Sequence, residues 1–373
     1  MWFTGQSVGC IRMLNSGRQD AIRPGSSGCP SELSRCNCEP RLRSVGMEVS
    51  MNEHTVGRRQ FLQTLTAFGA AGLPIASVSG SRLLSAADRA TKTAYDPAAN
   101  FELTVSEVEM RRNSAGRMLM ARIYQPKGAG PFPTVLDLHG GAWNAKDRKA
   151  EEPMDRSIAS SGVLVVAIDT TWASEAPYPA CVQDANYGVR WLKSKAATWN
   201  GDPSKIGIYG SSSGGHVAEL LCMRPHDPRY NEILLAAAPK LDASVAYAAM
   251  RSPISDTFGR FNNAEKLKRD GMVKNNKLFF NPWDTIHESN PQEILDRHEA
   301  VTLVPLLIMA GALDDNVLPE FQKKFVETYR AAGGDIQFQI FEGAEHEWVA
   351  NPGPQTDRAR EMVKAFIARQ LKA

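Results

Sequence analysis

Cysteine is scarce where a disulfide framework would need it. Of the six cysteines, Cys10, Cys29, Cys36 and Cys38 crowd the start of the chain, which leaves Cys181 and Cys222 for everything after it. No second pair follows Cys36-x-Cys38 at zinc-finger spacing, so no metal site is implied, and Cys181 and Cys222 fall on separate helical segments and are expected to be free thiols. A surplus of charge is missing too: 43 Lys and Arg stand against 41 Asp and Glu, a formal net charge of +2. These charges are dispersed without a basic stripe or interleaved aromatics, which excludes nucleic acid as the expected partner. The Gly- and Ala-rich run from Leu65 to Val78 falls short of the ~20 apolar residues a stable membrane span requires. Histidine is also sparse, with seven in 373 residues, so each can be weighed singly.

What is present is a composition of ordinary globular kind, 43% hydrophobic and 23% charged, long enough to bury a large core. Residues 1–46, rich in Ser, Arg and Gly without periodicity, read as disordered or as an upstream extension outside the natural protein. Gly57-Arg58-Arg59-Gln60-Phe61-Leu62-Gln63 follows, then a mildly apolar run and small residues near Ser79 and Ala87. This order resembles a twin-arginine export signal over residues 47–90, which implies a periplasmic or secreted protein. Residues 91–373 then form one catalytic domain.

Within that domain the pattern alternates between strand and helix. Phe101, Leu103 and Val105, then Met118, Met120 and Tyr124, have period two around a turn at Asn113–Gly116. Thr134–Leu138, Gly162–Ile168, Ile206–Tyr209 and Leu303–Met309 are continuous apolar runs suited to strands buried on both faces. Ala185, Val189 and Leu192, the Phe321–Tyr329 segment and Ala359–Ile367 have helical spacing, and Ile336, Phe338 and Ile340 alternate. The expected fold class is α/β, with a mostly parallel central sheet, helices on both faces and the site at the strands' carboxyl ends. Residues 251–300 hold scattered aromatics without strand periodicity and read as a small cap-like insertion over that edge.

Gly210-Ser211-Ser212-Ser213-Gly214 sits between an apolar strand run and a helix-compatible segment. A serine in the middle of G-x-S-x-G in this context occupies a strained elbow, which makes Ser212 the candidate nucleophile. A serine hydroxyl needs an imidazole to take its proton and a carboxylate to orient the imidazole. Asp314 follows the Leu303–Met309 strand and His346 follows the Ile336–Phe341 strand, so both project from carboxyl ends in the order Ser, Asp, His. Asp315 is expected instead to be a turn residue that caps the next helix near Leu318 or accepts local amides. Every other histidine is weaker as a base; His216, one helical turn beyond Ser212, is expected to pack or hydrogen-bond locally. The developing oxyanion needs preorganised N–H donors, and the candidates are Gly140, Gly141 and Ala142 of His139-Gly140-Gly141-Ala142 together with Ser213. Trp143, Trp172 and Tyr178 either line an apolar substrate pocket or belong to the core.

These residues together resemble the α/β-hydrolase superfamily. Within it they are similar to the hormone-sensitive-lipase and feruloyl-esterase-like (BD-FAE-type) carboxylesterases. His139-Gly140-Gly141, Ala176-Pro177-Tyr178-Pro179-Ala180 with Asp184 beyond it, Gly210–His216 and the two strand-end motifs match in order, over roughly residues 100 to 370. Ala142 stands where many members have a third glycine, and Ser213 where alanine is commoner. The resemblance also places the triad acid at Asp314, three residues after Gly311. It implies a serine hydrolase acting on small or aromatic carboxylic esters without metal or organic cofactor. Arylformamidases, which share the His139-Gly140-Gly141-x-Trp143 pattern, are the nearest rival chemistry, and a non-catalytic binding module on the same fold is the alternative of another class.

Overall fold

Three largely apolar runs are buried along their whole length and lie inside the sheet: β3 (Phe132–Leu138), β4 (Leu164–Ile168) and β7 (Leu306–Gly311). Such runs need cover on both faces, which only a sheet sandwiched by helices supplies. The computed structural model describes residues 95–372, which belong to a unit spanning Leu83–Ala373. The extension expected over 1–46 and the export signal expected over 47–90 lie outside the described residues.

The remaining strands are β1 (Leu103–Arg112), β2 (Met118–Pro126), β5 (Gly201–Ser211), β6 (Tyr247–Arg251) and β8 (Ile336–Phe341). Together they form an eight-stranded sheet in the order β1-β2-β4-β3-β5-β6-β7-β8. β1 and β2 pair antiparallel, β2 meets β4 antiparallel, and every pairing from β4 to β8 is parallel. This is the α/β-hydrolase fold. β6, a five-residue strand, carries too little pattern to show in the sequence, and β5 starts at Gly201, five residues before the apolar run that marks it.

One core lies on each face. Leu136, Leu138, Ile206 and Ile208 point to the side covered by α2 (Ala180–Lys195), α3 (Ser213–Met223) and α8 (Pro319–Ala331). Val135, Val165, Tyr209 and Tyr247 point to the side covered by α1 (Glu152–Ser160) and α9 (Pro354–Lys372). The period of two along each strand makes this division.

The strand order fixes where the site must be. The chain goes from β3 to β4 on one side, then crosses back to β5 on the other, so the loops leaving β3 and β5 diverge and open a crevice at the carboxyl edge. The register aligns that edge: Leu138 faces Gly210, Ser211 faces Arg251, and Arg251 faces Met309.

Between β6 and β7 the chain forms α4 (Thr257–Lys266), α5 (Asp270–Phe279), α6 (Thr285–Glu288) and α7 (Pro291–Asp296). Side chains start two of them: Asp256 accepts the Gly259 amide at 2.8 Å, and Asn290 accepts the Gln292 amide at 3.1 Å ahead of Pro291. The aromatics that gave this stretch no period are anchors of the helices; Phe279 and Phe280 are fully buried. Cys181 and Cys222 are free and buried, and burial raises both thiols above their ordinary range. No helix among the described residues is long and apolar enough to cross a membrane.

Candidate active site

Ser212 is the single residue between β5 and α3, and its backbone sits at φ 50° and ψ −117°. A non-glycine residue held there costs ~1–3 kcal/mol, which surrounding hydrogen bonds must offset. They do so on both sides of the residue: the Ser212 amide donates to the Arg251 carbonyl at 2.9 Å, while its carbonyl accepts from His216 at 3.1 Å and Ile254 at 3.3 Å. Gly214 is required because a side chain there would collide with the Leu138 and His139 carbonyls.

Asp314 leaves β7 by a tight turn in which its Oδ1 accepts the amides of Asn316 at 3.0 Å and Val317 at 2.8 Å. That fixes the carboxylate and leaves Oδ2 to face His346 Nδ1 at 2.8 Å. Burial raises the Asp314 carboxyl, but the His346 hydrogen bond and charge, with the Val317 amide, outweigh it and hold the group below its ordinary range. With Nδ1–H directed at Asp314, His346 Nε2 is left as an acceptor, and Ser212 Oγ donates to it at 2.9 Å. The three side chains expected to act together thus form one line, and Ser212, Asp314 and His346 are all buried.

Asp315 departs from expectation. The local amides go to Asp314, and the Asp315 carboxylate turns instead to Arg269, between α4 and α5. Neighbouring side chains on a turn diverge, and the one that faces inward takes the amides.

The loop after β3 presses on the elbow. A Cβ at Gly140 would lie 3.2 Å from Ser212 Cβ, while Gly141, Ala142 and Trp143 have φ of 113°, 50° and 57°. The Trp143 amide donates to Ser213 Oγ at 3.2 Å, which ties the loop to the first residue of α3. Among the described residues, the amides of Gly141, Ala142 and Ser213 have no acceptor within the protein. Of these, Ser213 is buried, whereas Gly141 and Ala142 are half-buried at the edge of the site; a buried amide rarely stays unpaired. Ala142 adopts the left-handed conformation that a third glycine would take without strain.

The three candidate pocket aromatics have other employment. Trp143 stacks on Phe279 with ring centroids 4.5 Å apart and donates its Nε1 to His216 Nδ1 at 3.2 Å. That makes His216 Nδ1 the acceptor, so its Nε2–H donates to the Ser289 carbonyl at 2.7 Å. Burial depresses this imidazole to about 4, and it is a neutral strut that packs as expected but takes both hydrogen-bond partners from outside its own helix. Tyr178 is buried against Tyr230, with 2.8 Å between hydroxyls, and donates to Glu288 at 3.1 Å. Trp172, half-buried under Arg117, donates to the Lys146 carbonyl at 3.2 Å. Trp143 and Tyr178 therefore support the loops around Ser212 as core residues. Asp184, buried in α2, accepts the Thr171 amide at 2.7 Å and pairs with Arg111, also as a support.

Sequence reasoning missed the arginines. Arg260 of α4 is fully buried, donates Nε to Asn316 Oδ1 at 2.9 Å and lies over the Trp143 ring. Burial lowers it to about 10 against the opposing pull of Asp314. Arg251 and Glu151 form a second buried pair beneath the elbow. None belongs to a local motif, and their partners lie far away along the chain.

The BD-FAE family model matches residues 122–328, a stretch that holds the glycine loop, the elbow and the acid turn. The chain belongs to the BD-FAE family. Carboxylesterase NlhH of Mycobacterium tuberculosis is 33% identical over 108 residues, 28% of this chain and 34% of that protein. AB hydrolase superfamily protein C1039.03 of Schizosaccharomyces pombe is 26% identical over 250 residues, 62% of this chain and 68% of that protein. The chain spans about a third of the length of the first curated relatives it matches. Among solved structures, a truncated form of carbohydrate esterase from gut microbiota superposes with a TM-score of 0.58 at 19% identity, covering 74% of this BD-FAE chain and 99% of its own. An esterase of Thermogutta terrifontis with bound propionate gives 0.55 at 22%, covering 72% and 94%. These likenesses are of fold.

Proposed function

We propose that this BD-FAE protein is a serine carboxylesterase that cleaves esters of small or aromatic carboxylic acids through an acyl-enzyme. The observation that carries the reading is the continuous relay from Ser212 Oγ through His346 to Asp314, at 2.9 and 2.8 Å, on a strained elbow. The family and the carboxylesterases among its relatives support it.

Ser212 Oγ attacks the ester carbonyl carbon as its proton passes to His346 Nε2, and the carbonyl electron pair moves onto oxygen. The amides of Gly141, Ala142 and Ser213 receive that oxyanion, with Gly140 as a less direct contributor; donors already aimed reorganise little during reaction. When the carbonyl re-forms, the C–O bond to the alcohol breaks and His346 returns its proton to the leaving oxygen. Water then repeats the sequence against the acyl group and frees Ser212. Asp314 holds the Nδ1–H tautomer and offsets the imidazolium charge. Each proton has a carrier among these residues.

The test is an activity screen of the purified chain over short acyl, feruloyl and N-formyl substrates, beside Ser212→Ala. Ester turnover that disappears in the variant is expected; a preference for N-formyl amides would transfer the reading to arylformamidase chemistry. The Gly57–Gln63 pattern supports export by the twin-arginine route. Replacing Arg58 and Arg59 by lysines should retain the protein in the cytoplasm, and undiminished export would remove that part of the proposal.

A further inference from the structure

Arg251 touches the main chain of both the nucleophile and the base. Its carbonyl accepts the Ser212 amide at 2.9 Å, and its guanidinium Nη1 donates to the His346 carbonyl at 2.5 Å. Register explains the reach: as the last residue of β6, Arg251 lies between Ser211 of β5 and Met309 of β7, so it stands at the carboxyl edge between the elbow strand and the acid strand.

Glu151, just before α1, fixes that guanidinium. Its Oε1 accepts from Arg251 Nη2 at 3.3 Å and from the Ser211 hydroxyl at 2.5 Å, so the residue preceding the nucleophile joins the same net. Glu347, next to the base, lies 3.8 Å from Nη2 and also takes Lys146 Nζ at 3.1 Å. Lys146 lies in the loop between β3 and α1 that also holds Gly140. A cavity of about 20 Å³ lined in part by Glu151, Met154, Arg251 and Glu347 borders the network. Arg251 is 1% exposed. Burial opposes its charge, while Glu151 and further anionic neighbours outweigh that and hold it above its ordinary range. A cation taken fully out of water survives only with such compensation, and breaking one side of the pair is costly.

We propose that Arg251 is a positioning residue for ester hydrolysis: its guanidinium grips the His346 carbonyl while its main-chain carbonyl, which any residue here would supply, holds the Ser212 amide, and the guanidinium contact sets the separation of Oγ and Nε2, with Glu151 locking the guanidinium in place. This rests on the Ser212–His346–Asp314 reading above. Reacting groups must be held within ~0.5 Å of their productive geometry, and a displacement of ~1 Å costs ~10²-fold. Lysine cannot replace the fork, since an ammonium is a point donor and reaches the His346 carbonyl or Glu151 but not both in this geometry.

The experiment compares kcat and KM for a p-nitrophenyl ester, and the rate of fluorophosphonate labelling, in the full chain and in Arg251→Lys, Glu151→Gln and Glu151→Ala, each checked for a cooperative melting transition. Arg251→Lys is expected to lower kcat by ~30- to 100-fold, within the range a misplaced relay costs, with KM within a factor of ~3 and labelling slowed in step. Glu151→Gln keeps an acceptor oxygen for Ser211 and Arg251 but removes the charge that offsets the buried guanidinium, so it should lower kcat by less than Glu151→Ala, which should fall most of the way to Arg251→Lys. A folded Arg251→Lys with parental kcat, or a loss confined to KM, would overturn the proposal. If Arg251→Lys does not fold, a folded Glu151→Ala with parental kcat overturns it, and failure of both to fold assigns the pair to stability and overturns it as well. Ser212→Ala separates the two levels: turnover surviving in that variant removes the triad reading itself, whatever Arg251 does.

Discussion

Asp314 and Asp315 are chain neighbours whose carboxylates engage different parts of the molecule, Asp314 the His346 ring at 2.8 Å and Asp315 the Arg269 guanidinium between α4 and α5. Asp314 is 2% exposed, whereas the Asp315 side chain is 70% exposed.

Asp314→Asn is therefore expected to cost ~10⁴-fold in kcat, by analogy with the same change in another serine hydrolase, because an amide facing Nδ1 favours the wrong tautomer. Asp315→Asn should leave kcat within ~3-fold and lower stability by ~0–1 kcal/mol, as for an exposed ion pair. Steady-state kinetics of the two variants at equal folded concentration make the comparison. A slower Asp315→Asn enzyme would move the acid by one residue.

At the glycine loop, Gly141→Ala should lower kcat by ~10²-fold or more. Its φ of 113° is unsuited to alanine, and the added Cβ would collide with the Ala145 carbonyl, so the amides proposed for the oxyanion must move. Ala142→Gly works in the opposite sense, relieving a φ of 50°. It should raise stability by up to ~1 kcal/mol with activity retained. Chemical denaturation and kinetics on both variants test the pair, and full activity in Gly141→Ala would remove the loop from the oxyanion site.

Glu219, buried in α3, is raised from 4.5 to about 8 by loss of solvent, against a hydrogen bond from Ser255 at 2.7 Å. In acid both folded and unfolded states hold the proton and there is no penalty. As pH rises past 4.5 the unfolded chain loses its proton first, so stability falls until about 8, above which both states are ionised and the penalty is constant. Glu219→Gln keeps the acceptor for Ser255 and removes the titration. It should therefore gain on the order of 3 kcal/mol over the parent at neutral pH, with the gain absent near pH 4. Urea midpoints of the two proteins across this range give the measurement; a gain independent of pH would contradict the assignment.

The sheet and the relay were legible because each depends on short-range pattern. The runs Leu303–Met309, observed as Leu306–Gly311, and Ile336–Phe341 declare themselves as strands, and Asp314 and His346 follow them at a turn's distance, so strand-end placement alone puts both on the elbow's side. Ser212 was visible for the same reason: its strain needs glycine nearby, and glycine spacing is written locally. Arg251, Glu151 and Arg260 were not legible, since their partners are set by tertiary register; Glu151 and Arg251 are 100 residues apart. Trp143 was open in the sequence between a pocket wall and the core. An aromatic beside a glycine loop suits a pocket wall, and only Phe279 of α5 on its face and His216 at its Nε1 reveal a supporting role.

The central claim is that Ser212 is the nucleophile, and the most direct measurement is peptide mapping by mass spectrometry after reaction of the full chain with a fluorophosphonate. The account predicts one adduct per chain, on Ser212, with ester turnover lost in proportion and no adduct in Ser212→Ala. An adduct on another residue, or turnover persisting in a fully labelled protein, would contradict it.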